Sequence, residues 1–172
     1  MARSQELQSF LDATRDAFAT SGATAEALSV ADKIFSAANT TPGEAANPDA
    51  VEMPACEHLK AALDGAKAED GPVADLARTL EAIAPRLKWV LRPNGEDDDA
   101  TFKACHANAV VIGKDGLEAR DDIRIGMSLL APETRYPDHR HPPEEIYMVL
   151  TPGEWKQGAE GAFRSPGVGG FV

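Results

Sequence analysis

The hydrophobic period of this chain changes near its middle, and this change constrains the fold more than any other feature. In the first half, apolar residues recur every three or four positions, as they do on one face of an α-helix. The first predicted helix carries its stripe on Leu7, Phe10, Leu11, Thr14 and Phe18. Three more helices are predicted at 24–38, around 56–63 and at 72–83, with a loop rich in Pro, Gly, Asn and Thr at 39–54.

The second half consists of short β-rich runs separated by turn residues, at 89–91, 109–112, 123–129 and 146–150. Several short strands at this spacing, without long helices between them, predict an antiparallel sandwich or barrel rather than a doubly wound parallel sheet. We therefore expect an α+β protein, with a helical N-terminal region at 1–85 and a β-domain at 86–172. The acidic run from Glu96 to Asp99 is interpreted as a solvated loop.

Charge and hydropathy exclude two classes of partner. The formal net charge is -11 at pH 7, which argues against nucleic acid, because that affinity comes largely from basic residues. The chain has no apolar run of about 18 residues that could span a membrane, and its N-terminus lacks the apolar stretch of a signal peptide. We expect a cytoplasmic protein in which Cys56 and Cys105 are reduced thiols, since they form no CxxC motif.

The chemistry of the chain is concentrated in residues 136–153, YPDHRHPPEEIYMVLTPG. His139 and His141 are two positions apart, so on an extended segment both imidazoles point to the same side. Glu145 follows four residues later. Two imidazoles and a carboxylate suit Fe(II), Mn(II) or Zn(II), so we predict a divalent transition-metal site and no organic cofactor. The alternative is a surface pair of histidines; His58 and His106 are expected to have non-ligand roles.

Tyr147 lies two residues beyond Glu145, so on a strand it shares the face of that carboxylate. A divalent cation nearby would favour its phenolate form and lower its pKa. Tyr147 is therefore a candidate general base. The alternative is a tyrosine that packs in the core of the β-domain.

The HxHxxxE spacing resembles the first motif of the cupin superfamily. The longer string from Tyr136 to Tyr147 resembles the dimethylsulfoniopropionate lyases of marine bacteria, particularly the DddQ type. Shorter similar stretches are 107–109, 116–118, 126–129 and 152–155, and the resemblance covers roughly residues 76–172. It implies that the β-domain at 86–172 is an antiparallel cupin (jelly-roll) barrel, with the N-terminal helices as an addition to it.

The resemblance also implies a β-elimination that releases dimethyl sulfide and acrylate from a small sulfonium zwitterion. His141 and Glu145 correspond to metal ligands, and Tyr147 corresponds to the tyrosine that removes the proton next to the carboxylate. His139 corresponds to a general cupin ligand that in this family acts more on the substrate, and Tyr136 to a tyrosine near the substrate. The metal would hold the carboxylate and stabilise the negative charge that develops there.

A sulfonium cation prefers the faces of aromatic rings. Trp155, Tyr136 and Phe163 are therefore candidates for a wall of the substrate site. Each of them is equally compatible with ordinary core packing.

The chain departs from the cupin pattern because no histidine follows His141, whereas a cupin has a second motif with a further histidine ligand. We expect a C-terminally truncated chain that lacks this ligand and the last strands, and therefore binds metal weakly and has little activity. Two alternatives to the lyase remain open, another metal-dependent cupin enzyme such as an isomerase or dioxygenase, and a non-catalytic cupin that binds a small molecule. A homodimer is compatible with each of them.

Overall fold

The computed structural model describes residues 3–92, 98–139, 144–158 and 160–172. Within them the helices are α1 (Gln5–Thr20), α2 (Ala25–Thr40), α3 (Leu59–Lys67), α4 (Pro72–Ile83) and α5 (Ala100–Cys105). The strands are β1 (Glu44–Ala45), β2 (Trp89–Val90), β3 (His106–Ile112), β4 (Glu118–Ala119) and β5 (Ile125–Leu130). Short 3₁₀ turns occupy Pro54–His58 and Ala84–Arg86. Four helices precede most of the strands, which confirms the predicted α+β class.

The four helices that the apolar stripes predict are confirmed. The stripe of α1 is buried along its whole length, and α1 packs against α4. Side chains cap the N-termini of α1 and α2: Ser4 accepts a hydrogen bond from the Leu7 N–H, and Thr24 accepts one from the Ala27 N–H. These caps satisfy backbone donors that have no partner inside the helix, so the sequence fixes both starting points locally.

The sheet is mixed, with β3 at its centre. Strand β3 pairs antiparallel with β5, where Asn108 lies opposite Ser128, and with β2, where Trp89 lies opposite Ala109. Strand β4 runs parallel to β3, and β1 pairs antiparallel with β4. The five strands of the described residues do not close on themselves. The predicted antiparallel jelly-roll barrel is therefore not confirmed, because one pairing is parallel and the sheet is open.

The run at 146–150 forms an extended segment rather than the predicted strand. The N–H groups of Tyr147 and Val149 donate to the carbonyl oxygens of Val172 and Gly170 over 2.8 and 2.9 Å. Within the run at 146–150, which the structure describes in full, only the bridge between Met148 and Phe171 is regular enough to count as β-pairing. Regular pairing is limited because Gly169 has a left-handed φ of 78°, which a strand does not contain.

The two faces of β3 have different surroundings, because side chains alternate along a strand. Ala107, Ala109 and Val111 point to one face and belong to the same buried core as the helices. His106 and Asn108 point to the other face, which carries the polar and aromatic residues described below. Besides its neighbouring strands, β3 packs against the 3₁₀ turn Pro54–His58 and against α5.

The acidic run at 96–99 is only partly described, since Glu96 and Asp97 lie outside the described residues. The side chain of Asp98 is only 7% exposed and forms an ion pair with Arg92. Asp99 caps α5, its carboxylate accepting from the Phe102 N–H over 2.8 Å. The interpretation as a solvated loop is therefore wrong for Asp98, whose side chain is withdrawn from solvent against Arg92. Asp99 is exposed, as interpreted, and in addition caps α5.

Cys56 and Cys105 are both free thiols, as predicted. In the part of the chain that the structure describes, no helix combines the length and the apolar character needed to cross a bilayer. The division of the chain at residue 85 stays a prediction.

Candidate active site

The predicted site residues lie on two segments beside the open face of the sheet. Tyr136 and His139 follow β5, while Glu145 and Tyr147 lie on the extended segment that pairs with the C-terminal residues. His141 lies outside the described residues. The structure therefore locates four of the five residues that the motif predicts.

His139 is exposed, and its ring centroid lies 4.8 Å from that of Tyr136. Its Nδ1 atom is 3.2 Å from the carbonyl oxygen of Pro137. A carbonyl oxygen only accepts hydrogen bonds, so Nδ1 is the donor in this contact. Histidine ligands to metals have this arrangement, with one nitrogen held by a carbonyl and the other bound to the ion.

Tyr147 and Glu145 interact directly. The Tyr147 hydroxyl donates to Glu145 Oε2 over 2.5 Å, which is short for a hydrogen bond between hydroxyl and carboxylate. Burial raises the pKa of Tyr147 well above its usual range, and the hydrogen bond to Glu145 and its negative charge raise it further. The protein's own groups thus favour the neutral phenol, and the lowered pKa expected beside a cation stays a prediction.

The structure places the two other candidates for an aromatic wall differently. The Trp155 ring centroid lies 5.3 Å from that of Tyr147, and Trp155 is half-buried, with its backbone paired to Arg164. Phe163 is 52% exposed, and its ring lies 6.0 Å from the guanidinium of Arg135. Of these two candidates, Trp155 is therefore the one that lies beside Tyr147, which is hydrogen-bonded to Glu145.

Tyr136 belongs to a cluster that the sequence analysis did not identify. We call it the Tyr136 cluster, and its members are Arg92, Asp98, Phe102, His106 and Tyr136. The Phe102 and His106 rings stack at 4.8 Å, and the Tyr136 ring meets them edge-on at 5.3 and 5.1 Å. The Arg92 guanidinium lies over both the Phe102 and the Tyr136 rings, 5.5 and 5.4 Å from their centroids.

His106 is completely buried at the start of β3. Its Nε2 atom lies 3.2 Å from Asn108 Oδ1 and 3.4 Å from Ser128 Oγ, while its Nδ1 atom has no hydrogen-bond partner among the described residues. Burial lowers the pKa of His106, and the hydrogen bond with Asn108 raises it by a smaller amount. His106 is therefore a neutral ring that packs beneath Tyr136, and its predicted non-ligand role stays a prediction.

The two halves of the site are electrically coupled. Besides burial and Glu145, the charge of an ionised Tyr136 raises the pKa of Tyr147, and the charge of Arg124 lowers it. Tyr136 and Tyr147 thus lie within electrostatic range of each other.

The donor set of the described residues fits a divalent transition metal in its chemistry. His139 offers an imidazole nitrogen and Glu145 a carboxylate, which are ligand types of Zn(II), Fe(II) and Mn(II). Outside the undescribed stretches, no group of three or more His, Cys, Asp or Glu side chains is arranged to hold a metal ion. The third predicted ligand, His141, lies in one of those stretches.

Comparisons with known proteins agree on one family. A family model for dimethylsulfoniopropionate lyases matches residues 26–172. The curated protein DddL of Cereibacter sphaeroides, provisionally named a dimethylsulfoniopropionate lyase, is 30% identical over 114 residues, which are 66% of this chain and 47% of DddL. The chain thus spans about half the length of this relative.

A solved structure shares the fold. A chain from the crystal structures of the lyases RdDddP and RnDddQII superposes with a TM-score of 0.67 and 20% sequence identity, covering 97% of this chain and 80% of that one. At this level of identity the likeness concerns the fold alone. The family match over residues 26–172 is the finding that decides the assignment, and this chain belongs to the dimethylsulfoniopropionate lyase family.

Proposed function

We propose that this protein cleaves dimethylsulfoniopropionate to dimethyl sulfide and acrylate by β-elimination. Membership of the family supports the substrate and the reaction class. The single observation that carries the assignment of residues is the hydrogen bond between Tyr147 and Glu145, because it joins the proposed proton acceptor to a proposed metal ligand.

Tyr147 is the proposed proton acceptor. The proton to be removed is next to a carboxylate and therefore only weakly acidic, so its removal needs a strong base. A tyrosine whose pKa is raised by burial is a stronger base, once ionised, than an ordinary tyrosine. Its hydroxyl is held by Glu145, which limits the directions from which Tyr147 can approach the substrate.

The electrons of the elimination balance without a further acid. As Tyr147 takes the proton, the electron pair of the C–H bond forms the carbon–carbon double bond of acrylate. The carbon–sulfur bond breaks, and its electron pair leaves with the sulfur as neutral dimethyl sulfide. Since the sulfonium is already a good leaving group, no residue is needed to protonate it.

His139, His141 and Glu145 are the proposed metal ligands, and the contact of His139 Nδ1 with the Pro137 carbonyl oxygen supports this role for His139. A divalent Fe, Mn or Zn ion held there would supply Lewis-acid stabilisation of the substrate carboxylate and would favour the Tyr147 phenolate. His139 also contacts Tyr136, so these two side chains are proposed to contact the substrate as a pair.

The aromatic rings provide a place for the sulfonium group. The Tyr147 and Trp155 rings lie 5.3 Å apart between centroids and are tilted by 45°. Aromatic faces attract cations through their quadrupole. We propose Trp155 and Tyr136 as substrate-binding residues, and we retain the cupin architecture as part of this proposal, supported by the HxHxxxE spacing.

The test is a direct assay for both products. Purified protein is incubated with dimethylsulfoniopropionate and Fe(II), Mn(II), Zn(II) or a chelator, dimethyl sulfide is measured in the headspace, and acrylate by NMR. We expect equal amounts of both products with at least one metal and a loss of turnover in chelator. Binding of the substrate without turnover under every condition would support the non-catalytic alternative instead.

A further inference from the structure

We propose that Arg92 is a positioning residue for Tyr136 and that Asp98 locks it in place. The functional part of this inference rests on the proposed lyase activity, in which Tyr136 contacts the substrate. The structural part concerns the orientation of the Tyr136 ring and can be tested on protein without an activity measurement.

The guanidinium of Arg92 is fixed by a two-point contact. Its Nε atom donates to one oxygen of Asp98 over 2.7 Å, and its Nη2 atom donates to the other oxygen. The two side chains are only 15% and 7% exposed. A planar fork bound to a carboxylate through two bonds cannot rotate without breaking both of them, so the plane of the guanidinium is set.

This fixed guanidinium in turn restrains the Tyr136 ring. It lies 5.4 Å from the Tyr136 centroid and 5.5 Å from that of Phe102. Phe102 and His106 meet the same tyrosine edge-on, with interplanar angles of 77° and 86°. Tyr136 is thus held by a cation and two rings, and a change in its side-chain rotamer would lose all three contacts together.

The charge of Arg92 also acts on the Tyr136 hydroxyl. Burial raises the pKa of Tyr136, and the positive charge of Arg92 offsets part of that rise. Arg92 therefore affects the ionisation of Tyr136 as well as the position of its ring.

The consequence for the reaction concerns binding more than the chemical step. Tyr136 contacts His139 but not the proposed proton acceptor directly. A Tyr136 ring that is free to rotate would contact the substrate in only a fraction of molecules. Loss of the Arg92 contact should therefore raise KM, with a much smaller effect on kcat.

The chain is suited to a spectroscopic test because it contains only two tyrosines, Tyr136 and Tyr147. Protein labelled with ¹³C at the tyrosine Cζ gives two NMR signals, which the Tyr136→Phe and Tyr147→Phe variants assign. Arg92→Lys keeps the charge but removes the planar fork. We expect it to shift or broaden the Tyr136 signal and to leave the Tyr147 signal in place.

Asp98→Asn should have the same effect on the Tyr136 signal, because it releases Arg92. The double variant should add little to either single change, since the two residues act as one unit. Arg78→Lys is the matched control: Arg78 forms an exposed ion pair with Asp75 and should leave both signals unchanged. If Arg92→Lys fails to fold, the Tyr136 signal of Asp98→Asn protein tests the positioning role of Arg92 instead.

An unchanged Tyr136 signal in folded Arg92→Lys or Asp98→Asn protein would overturn the proposal. In an active enzyme we expect Arg92→Lys to raise KM by about 10- to 100-fold, with kcat nearly constant; an equal fall in kcat at constant KM would also overturn it. A wild-type protein without lyase activity would defeat the proposed function, while the NMR signals would still decide the role of Arg92.

Discussion

Tyr147 donates a 2.5 Å hydrogen bond to Glu145, the residue two positions before it in the chain. The contact is possible because alternate side chains of an extended segment point the same way. The segment is kept extended by the backbone bonds between Tyr147 and Val172. The carboxylate thus adds to the effect of burial, and both disfavour ionisation of the Tyr147 phenol.

Glu145→Gln should lower the pKa of Tyr147. In the native protein, the negative charge of Glu145 and the hydrogen bond that it accepts both raise the pKa of Tyr147. The substitution removes the charge and leaves a neutral, weaker acceptor. The measurement is an ultraviolet pH titration of tyrosinate in chelator, with Tyr136→Phe in both proteins so that only Tyr147 titrates. An unchanged or higher pKa in the variant would show that Glu145 does not act on Tyr147.

Arg3 and Glu118 should contribute to stability as a buried pair. Their side chains are 5% and 1% exposed, and the Arg3 Nε atom lies 2.7 Å from Glu118 Oε2. Glu118→Gln leaves the Arg3 charge without its partner, so we expect a loss of about 3 kcal/mol in the free energy of unfolding, measured with urea. Asp75→Asn breaks an exposed pair with Arg78 and should cost less than about 1 kcal/mol.

The same pair predicts a pH dependence. Burial alone would raise the pKa of Glu118, but Arg3 and the Gly43 N–H outweigh it and hold the pKa below the ordinary value of 4.5. The unfolded chain therefore takes up a proton before the native protein does, and stability contributed by this group is lost as the pH falls below 4.5. A Glu118→Gln protein with the same acid dependence as wild type would contradict this.

Asp99→Ala should destabilise the protein by about 1 kcal/mol, because it removes the side chain that caps α5. The Asp99 carboxylate accepts the Phe102 N–H, and Phe102 packs against Tyr136. Asp99→Asn keeps a capping oxygen and should retain most of the stability. Equal thermal unfolding curves for the alanine variant and wild type would show that the cap contributes nothing.

Gly126→Ala should destabilise the protein by about 1–3 kcal/mol. A Cβ atom at this position of β5 would lie 2.6 Å from the backbone oxygen of Ala109 on β3, so the two strands would have to separate. Gly65→Ala is the matched control, since it lies within α3 and a Cβ there meets nothing within 4 Å. The control should be neutral or stabilising in urea denaturation, by up to about 1 kcal/mol.

The helical half of the fold could be predicted from the sequence because its information is local. The apolar stripe of α1 and its cap at Ser4 lie within one segment. Helix α5 was missed because it has six residues, too few for a period to be recognised, although Asp99 at its start is a capping signal. The open, mixed sheet was missed because β1 and β4 have only two residues each, too few for a period to be recognised. The pairing of β1 with β4 also joins segments from the two halves of the chain.

In the candidate site, too, features that depend on local spacing could be predicted, and contacts between distant residues could not. The positions of Glu145 and Tyr147 follow from their spacing of two residues, which needs no knowledge of the tertiary fold. The Tyr136 cluster joins Arg92, Phe102 and His106 with a residue 30 or more positions later, and no spacing in the sequence predicts such contacts. The resemblance to a family indicated the residues that we propose for the chemistry, but it gave no indication of Arg92 and Phe102, which contact the Tyr136 ring.

The release of dimethyl sulfide by Tyr147→Phe protein, loaded with the metal that best supports the wild-type enzyme, decides whether Tyr147 is the proton acceptor. Loss of the phenol oxygen should lower kcat by at least about 100-fold, while the metal content measured by mass spectrometry stays that of wild type. Turnover within a few-fold of wild type in a folded, metal-loaded Tyr147→Phe protein would contradict the assignment of Tyr147 as the proton acceptor.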